Sequence, residues 1–152
     1  MIRIVHAFFS LVMLCSFFST ANARNITSLY PENSKVSTDT LLNSAKSGDP
    51  LAQYKLGLRY YNGNGVEKDM KKAVEWYTKS AKQGNSDAQF YLGFCYYNGK
   101  GVKKNTSKAA EWYAKSAEQG NASAQCNLGV CYKNGEGVEK DYLKAVEWST
   151  RS

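Results

Sequence analysis

Tyr61-Asn62, Tyr97-Asn98 and Lys133-Asn134 stand 36 residues apart, each ahead of a Gly-x-Gly. Aromatic and amide side chains at a fixed interval suggest recognition chemistry. An aromatic ring buries a large area at low rotamer cost, which suits an interface. An asparagine amide has both a donor and an acceptor, so it can pair with the backbone of an extended peptide. The same asparagines also have a local use, because Asn-Gly is a strong signal for the end of a helix. Both readings of Asn62, Asn98 and Asn134 stand at this point.

Nucleophilic and metal chemistry have less to work with. The one histidine, His6, lies in the opening stretch MIRIVHAFFSLVMLCSFFSTANA. An early Arg3, an apolar run from Ile4 to Phe18 and the close Ala21-Asn22-Ala23 read as a signal peptide over residues 1–23, cleaved after Ala23. The run is short for a membrane span of about 20 residues, and Ser10 and Ser16 interrupt it. The expected mature protein is therefore exported, periplasmic or secreted, with no stable membrane span. It keeps Cys95, Cys126 and Cys131 and has no imidazole. An odd number of thiols leaves at least one unpaired within the chain. Three thiols without histidine make a poor zinc set, and no general base stands ready to activate one. Small buried apolar residues are the expected role. No catalytic residue, metal ligand or cofactor is assigned.

Cleavage takes the 20 basic residues of the full sequence to 19, against 13 acidic ones, for a net charge of +6. Glu67, Glu75, Glu111, Glu118 and Glu147 are interspersed with the lysines, and no arginine cluster occurs. That is the pattern of a solvated helix surface, and no nucleic-acid site is expected. The Gly-x-Gly-Val corners lack the preceding strand and lysine spacing of a phosphate loop.

The elements that place the recurring side chains are themselves repeated. Three 36-residue units, 45–80, 81–116 and 117–152, agree at seventeen positions, the signature of a stacked array. Each unit spells two helices. Asp49, Asn85 and Asn121 are N-caps for the first, which ends at Asn-Gly. Asp69, Asn105 and Asp141 cap the second. Ala52, Leu56, Gly57 and Tyr60 form the buried face of the first helix, and Ala73, Trp76 and Tyr77 the inward face of the second. Gly57, Gly93 and Gly129 lie inside helices, at a cost of up to about 1 kcal/mol each against alanine. A cost repeated at one position implies a close helix approach. Trp76, Trp112 and Trp148 are expected to be the largest core groups. A leading helix is expected near Thr38–Lys46, after a polar segment 24–36. The last unit stops without a polar capping helix, so the expectation is either a truncated product or an exposed end that meets another molecule.

The string Ala-Gln-x-x-Leu-Gly-x-x-Tyr-x-x-Gly-x-Gly-Val-x-x-Asp-x-x-x-Ala-x-x-Trp resembles the Sel-one-like repeat, a relative of the tetratricopeptide repeat, from Ala45 to Ser152. The resemblance implies an all-α fold, a right-handed α/α solenoid of three helix-turn-helix repeats plus the leading helix. It also implies a scaffold or adaptor, often exported in bacteria. A cysteine-rich branch of the family carries a disulfide in each repeat. Here Cys95 and Cys131 share one register and Cys126 has no repeat counterpart, so the pattern departs from that branch.

At 100° per residue, the positions opposite the buried face of the first helix would line the concave side of such a stack. They are Leu51, Tyr54, Leu58, Tyr61 and Asn62 in unit one, Asp87, Phe90, Phe94, Tyr97 and Asn98 in unit two, and Ser123, Cys126, Val130, Lys133 and Asn134 in unit three. Leu58, Phe94 and Val130 have the rival task of packing between first helices. The function expected is binding of a protein or extended peptide. The alternatives are an envelope hydrolase, β-lactamase-like or glycan-directed, and an end-to-end structural module.

Overall fold

The computed structural model describes residues 37–152. The expected signal peptide 1–23 and the segment 24–36 lie outside the described residues. The rest is an all-α, right-handed α/α solenoid. Its helices are α1 (Thr38–Lys46), α2 (Pro50–Asn62), α3 (Met70–Lys82), α4 (Ser86–Asn98), α5 (Thr106–Glu118), α6 (Ala122–Asn134) and α7 (Tyr142–Arg151). Each helix packs on the next in chain order.

The capping residues act as their types dictate. The side chains of Asp49, Asn85 and Asn121 accept backbone N–H bonds from Leu51, Ala88 and Ala124 at 3.0, 2.8 and 3.0 Å. Asp69, Asn105 and Asp141 start α3, α5 and α7 in the same way. Each first helix stops at a left-handed glycine, Gly63 having φ +82°. The corner closes when the N–H of Asp69, Asn105 and Asp141 donates to the carbonyl of Tyr60, Tyr96 and Tyr132, each at 2.9 Å.

Two features hold helix to helix, within a hairpin and between neighbours. The first is the helical glycine. A Cβ at Gly57 would stand 2.6 Å from the Tyr77 ring, and one at Gly93 would stand 2.8 Å from the Tyr113 ring. Each glycine is the slot into which the tyrosine of the partner helix lies. The second is a buried polar ladder. Gln53, Gln89 and Gln125 donate to the carbonyls of Ala45, Ala81 and Ala117 at 3.1, 3.2 and 3.1 Å. Gln83 and Gln119 then donate to Gln53 and Gln89 at 2.8 and 2.6 Å. Ser80 and Ser116 donate to the carbonyls of Pro50 and Ser86 at 2.6 and 2.7 Å. A buried amide with its partners in place holds one register, and one without them costs about 1–3 kcal/mol.

The tryptophans correct an expectation. Trp76, Trp112 and Trp148 are only half-buried. Tyr77 and Tyr113, one residue on, are the largest fully buried side chains. The indole lies at the edge of the apolar face with a cation over its outer side. Lys79, Lys115 and Arg151 sit 4.1, 4.5 and 4.8 Å from the Trp76, Trp112 and Trp148 rings. Such stacking keeps the charge solvated while its stem covers apolar surface.

Candidate recognition face

Rings of the first helices α2 and α4 meet rings of the second helices α3 and α5 in one aromatic cluster. Tyr54 of α2 lies 5.8 Å, ring to ring, from Tyr91 of α4, and Tyr61 lies 6.2 Å from the same ring. Tyr91 stacks on Tyr77 at 5.3 Å. Phe90 continues the row to Tyr113 at 6.0 Å, and Tyr97 meets Tyr113 at 6.5 Å.

The fifteen sequence-selected residues divide into five groups. Leu58, Tyr61, Phe90, Phe94, Tyr97 and Val130 are half-buried, so each has one side in the stack and one outside it. Leu58, Tyr61 and Phe90 pack on the core between repeats one and two, and Phe90, Phe94 and Tyr97 on that between two and three. Of the residues with rival tasks, Leu58 and Phe94 therefore pack on the core with one side left outside it. Leu51, 47% exposed, flanks this strip, as do half-buried Ser123 and Lys133.

Tyr54 and Cys126 do not offer a surface, being 3% and 7% exposed. Tyr54 lies under Tyr91 and against Tyr77 at 6.2 Å, and Cys126 is disulfide-bonded. Asn62, Asn98 and Asn134 are exposed last residues of their helices, each followed by a left-handed glycine. Asn98 donates to the carbonyl of Phe94 at 2.9 Å, so its amide serves its own helix. Asp87 accepts from the cap Asn121 at 3.1 Å, which ties it to the next repeat. Burial raises its carboxyl above the usual range, and the Asn121 bond partly opposes this.

The charges of the face lie where the sequence reading did not look, in the middle of the Gly-x-Gly corners. Lys100, between Gly99 and Gly101, donates to the Tyr61 hydroxyl at 3.0 Å. Its ammonium is 4.8 Å from the Phe94 ring centre and 5.4 Å from that of Tyr61. One repeat on, Glu136 takes the same place and accepts from the Tyr97 hydroxyl. Burial, and then this bond, push the Tyr97 phenol well above its usual range. A position that varies in charge between invariant glycines was the available signal.

Cys95 and Cys131 are free and buried, as expected, whereas Cys126 departs from that expectation in being disulfide-bonded. Burial pushes both thiols up to about 12. A protonated, enclosed thiol is a poor nucleophile. Among the described residues no group of three His, Cys, Asp or Glu side chains could hold a metal ion. No described helix is long and apolar enough to cross a membrane.

The family model described as "Sel1 repeat" matches residues 50–85, 86–121 and 122–152, more than half of the chain. Those units begin where α2, α4 and α6 begin. The crystal structure of c5321, a protective antigen of uropathogenic Escherichia coli with an SLR fold, has a TM-score of 0.73 at 42% identity. It covers 74% of this chain and 24% of that one. A Sel1 repeat protein from Oxalobacter formigenes has a TM-score of 0.68 at 39% identity, over 74% of this chain and 85% of that one. The secretory immunoglobulin A-binding protein EsiB of Escherichia coli is 41% identical over 49 residues, which are 32% of this chain and 10% of EsiB. The chain spans 6% to 10% of the length of the curated relatives it matches.

Proposed function

This chain belongs to the Sel1 repeat family, and from that premise we propose that it is an exported, non-catalytic scaffold that holds a protein or extended peptide on the face of its first helices. The observation that carries the reading is the strip of Leu58, Tyr61, Phe90, Phe94, Tyr97 and Val130. All six are half-buried, so the stack fixes their rotamers while one side of each remains open. Preordered aromatic side chains lose little entropy on binding and supply much of the area of an interface. In a curved solenoid this face is the concave one. EsiB, named for binding secretory immunoglobulin A, is a relative with a protein partner. The domain plan that goes with this reading is a signal peptide at 1–23, a connecting segment at 24–36 and the solenoid at 37–152.

Two measurements test it. The first is N-terminal sequencing of the exported chain, expected to begin at Arg24. The second is peptide capture by chain 24–152 and by its Phe94→Ala variant. Loss of capture by a variant that still shows native helix content and cooperative unfolding supports the face. Capture that survives Phe94→Ala and Tyr61→Ala together overturns it.

A second reading, self-association through α7, is favoured by the exposure of Tyr142 and Leu143 at 53% and 84%. Light scattering that shows mass rising with concentration, and a loss of that rise in Leu143→Lys, would support it. A strict monomer removes it.

A further inference from the structure

We propose that the junction of the first and second repeats reads an acidic side chain in the bound segment through Lys100, and that Glu136 denies the next junction the same ligand. The inference rests on the recognition face proposed above and deepens it.

Lys100 is half-buried, with its stem folded back from the corner onto α2 and its own α4. Its ammonium has two ring faces and one phenol oxygen for company. The carboxylates that form ion pairs among the described residues belong to Asp69, Asp141 and Glu147, and they pair with Lys72, Lys144 and Arg151. Among the described residues no carboxylate is paired with Lys100. An ammonium has three donors, and the Tyr61 hydroxyl takes one. The cation is thus held in place, partly desolvated and short of an acceptor, at the point where Tyr61 and Phe94 flank the strip. A carboxylate arriving there finds a preplaced charge and forms a charge-assisted hydrogen bond, stronger than a neutral one. Charge complementarity of this kind selects partners more than it adds raw affinity.

The equivalent place in repeat three carries the opposite sign. Glu136 already accepts from Tyr97, which corresponds to Tyr61, so the second junction repeats the geometry with an acid where Lys100 stands. Lys104 lies 5.7 Å from the Tyr97 ring and forms no ion pair with Glu136 among the described residues. In repeat one the place belongs to Asn64, which is exposed and neutral. Packed helices lie about 8–10 Å apart and an extended strand advances about 3.3 Å per residue. Successive junctions therefore face residues about three apart in an extended segment.

The test is selection of random linear peptides from a displayed library on chain 24–152, followed by affinity measurement. Selected peptides are expected to share an Asp or Glu. Lys100→Gln should weaken such a peptide about ten-fold, as should changing its acid to the amide, with the two changes together no worse than either. Glu136→Lys should enrich a second acid about three positions from the first. Melting temperature and circular dichroism of each variant control for folding. Selection of peptides without acidic enrichment, or an acidic peptide indifferent to Lys100→Gln, overturns the inference while the face survives. Failure to select any peptide overturns the face and the inference together. Binding to phosphatidylglycerol vesicles that Lys100→Gln abolishes, with no peptide selected, would assign Lys100 to a lipid surface and also overturn it.

Discussion

Tyr77 and Tyr113 occupy one register of the repeat yet differ at a single atom. The hydroxyl of Tyr113 has the Asn127 side chain as a partner. The hydroxyl of Tyr77 is buried with no hydrogen-bond partner among the described residues, because Tyr91 stands where Asn127 stands one repeat later. An unsatisfied buried hydroxyl costs about 1–3 kcal/mol. Tyr77→Phe is therefore expected to stabilise the protein by about 1 kcal/mol in urea unfolding, whereas Tyr113→Phe should bring no gain. The thiols give a pH dependence. Cys95 and Cys131 are raised from 9.0 to about 12 in the folded chain. Their protonated form favours the fold, so the contribution is complete below pH 9 and is lost as pH rises from 9 toward 12. Native protein at pH 8 should resist alkylation at both positions and react only after urea is added. Rapid labelling in the native state would show that the two sites open.

At the scale of the element, each second helix has a core residue and an edge residue side by side. Tyr113 fills the slot left by Gly93, and Trp112 lies half outside beneath Lys115. Tyr113→Ala should cost about 3–5 kcal/mol, and Trp112→Ala clearly less, about 1–2 kcal/mol, by thermal or urea unfolding. Equal losses would return the indole to the core. Helix boundaries were legible from sequence, since Asp69, Asn105 and Asn-Gly act within a few residues of themselves. Which of Trp76 and Tyr77 is buried was not. Adjacent residues on a helix differ by 100°, and the choice depends on where the Gly57 slot brings the partner helix.

For the molecule as a whole, each hairpin shows one face to the hairpin before it and another to the hairpin after. The aromatic row runs unbroken from Tyr54 to Tyr113, and the glutamine ladder joins each repeat to the next. Stability in such a stack is shared between neighbours. A peptide of residues 86–121 alone is expected to show little helix by circular dichroism, while chain 37–152 should be mainly helical and unfold in one cooperative step. An isolated hairpin that folds unaided would contradict this.

The period of 36, the caps and the corner glycines were written in the sequence, because each works through backbone geometry local to the residue that supplies it. So was the half-buried strip proposed for recognition, in outline, since Leu58, Phe94 and Tyr97 follow from helical periodicity. The stack alone decided that Tyr54 turns inward, that the tryptophans are edge groups, and that Lys100 and Glu136 reach back 39 residues to Tyr61 and Tyr97. Those outcomes depend on how one repeat lies against the next, and no interval within a single repeat encodes that distance.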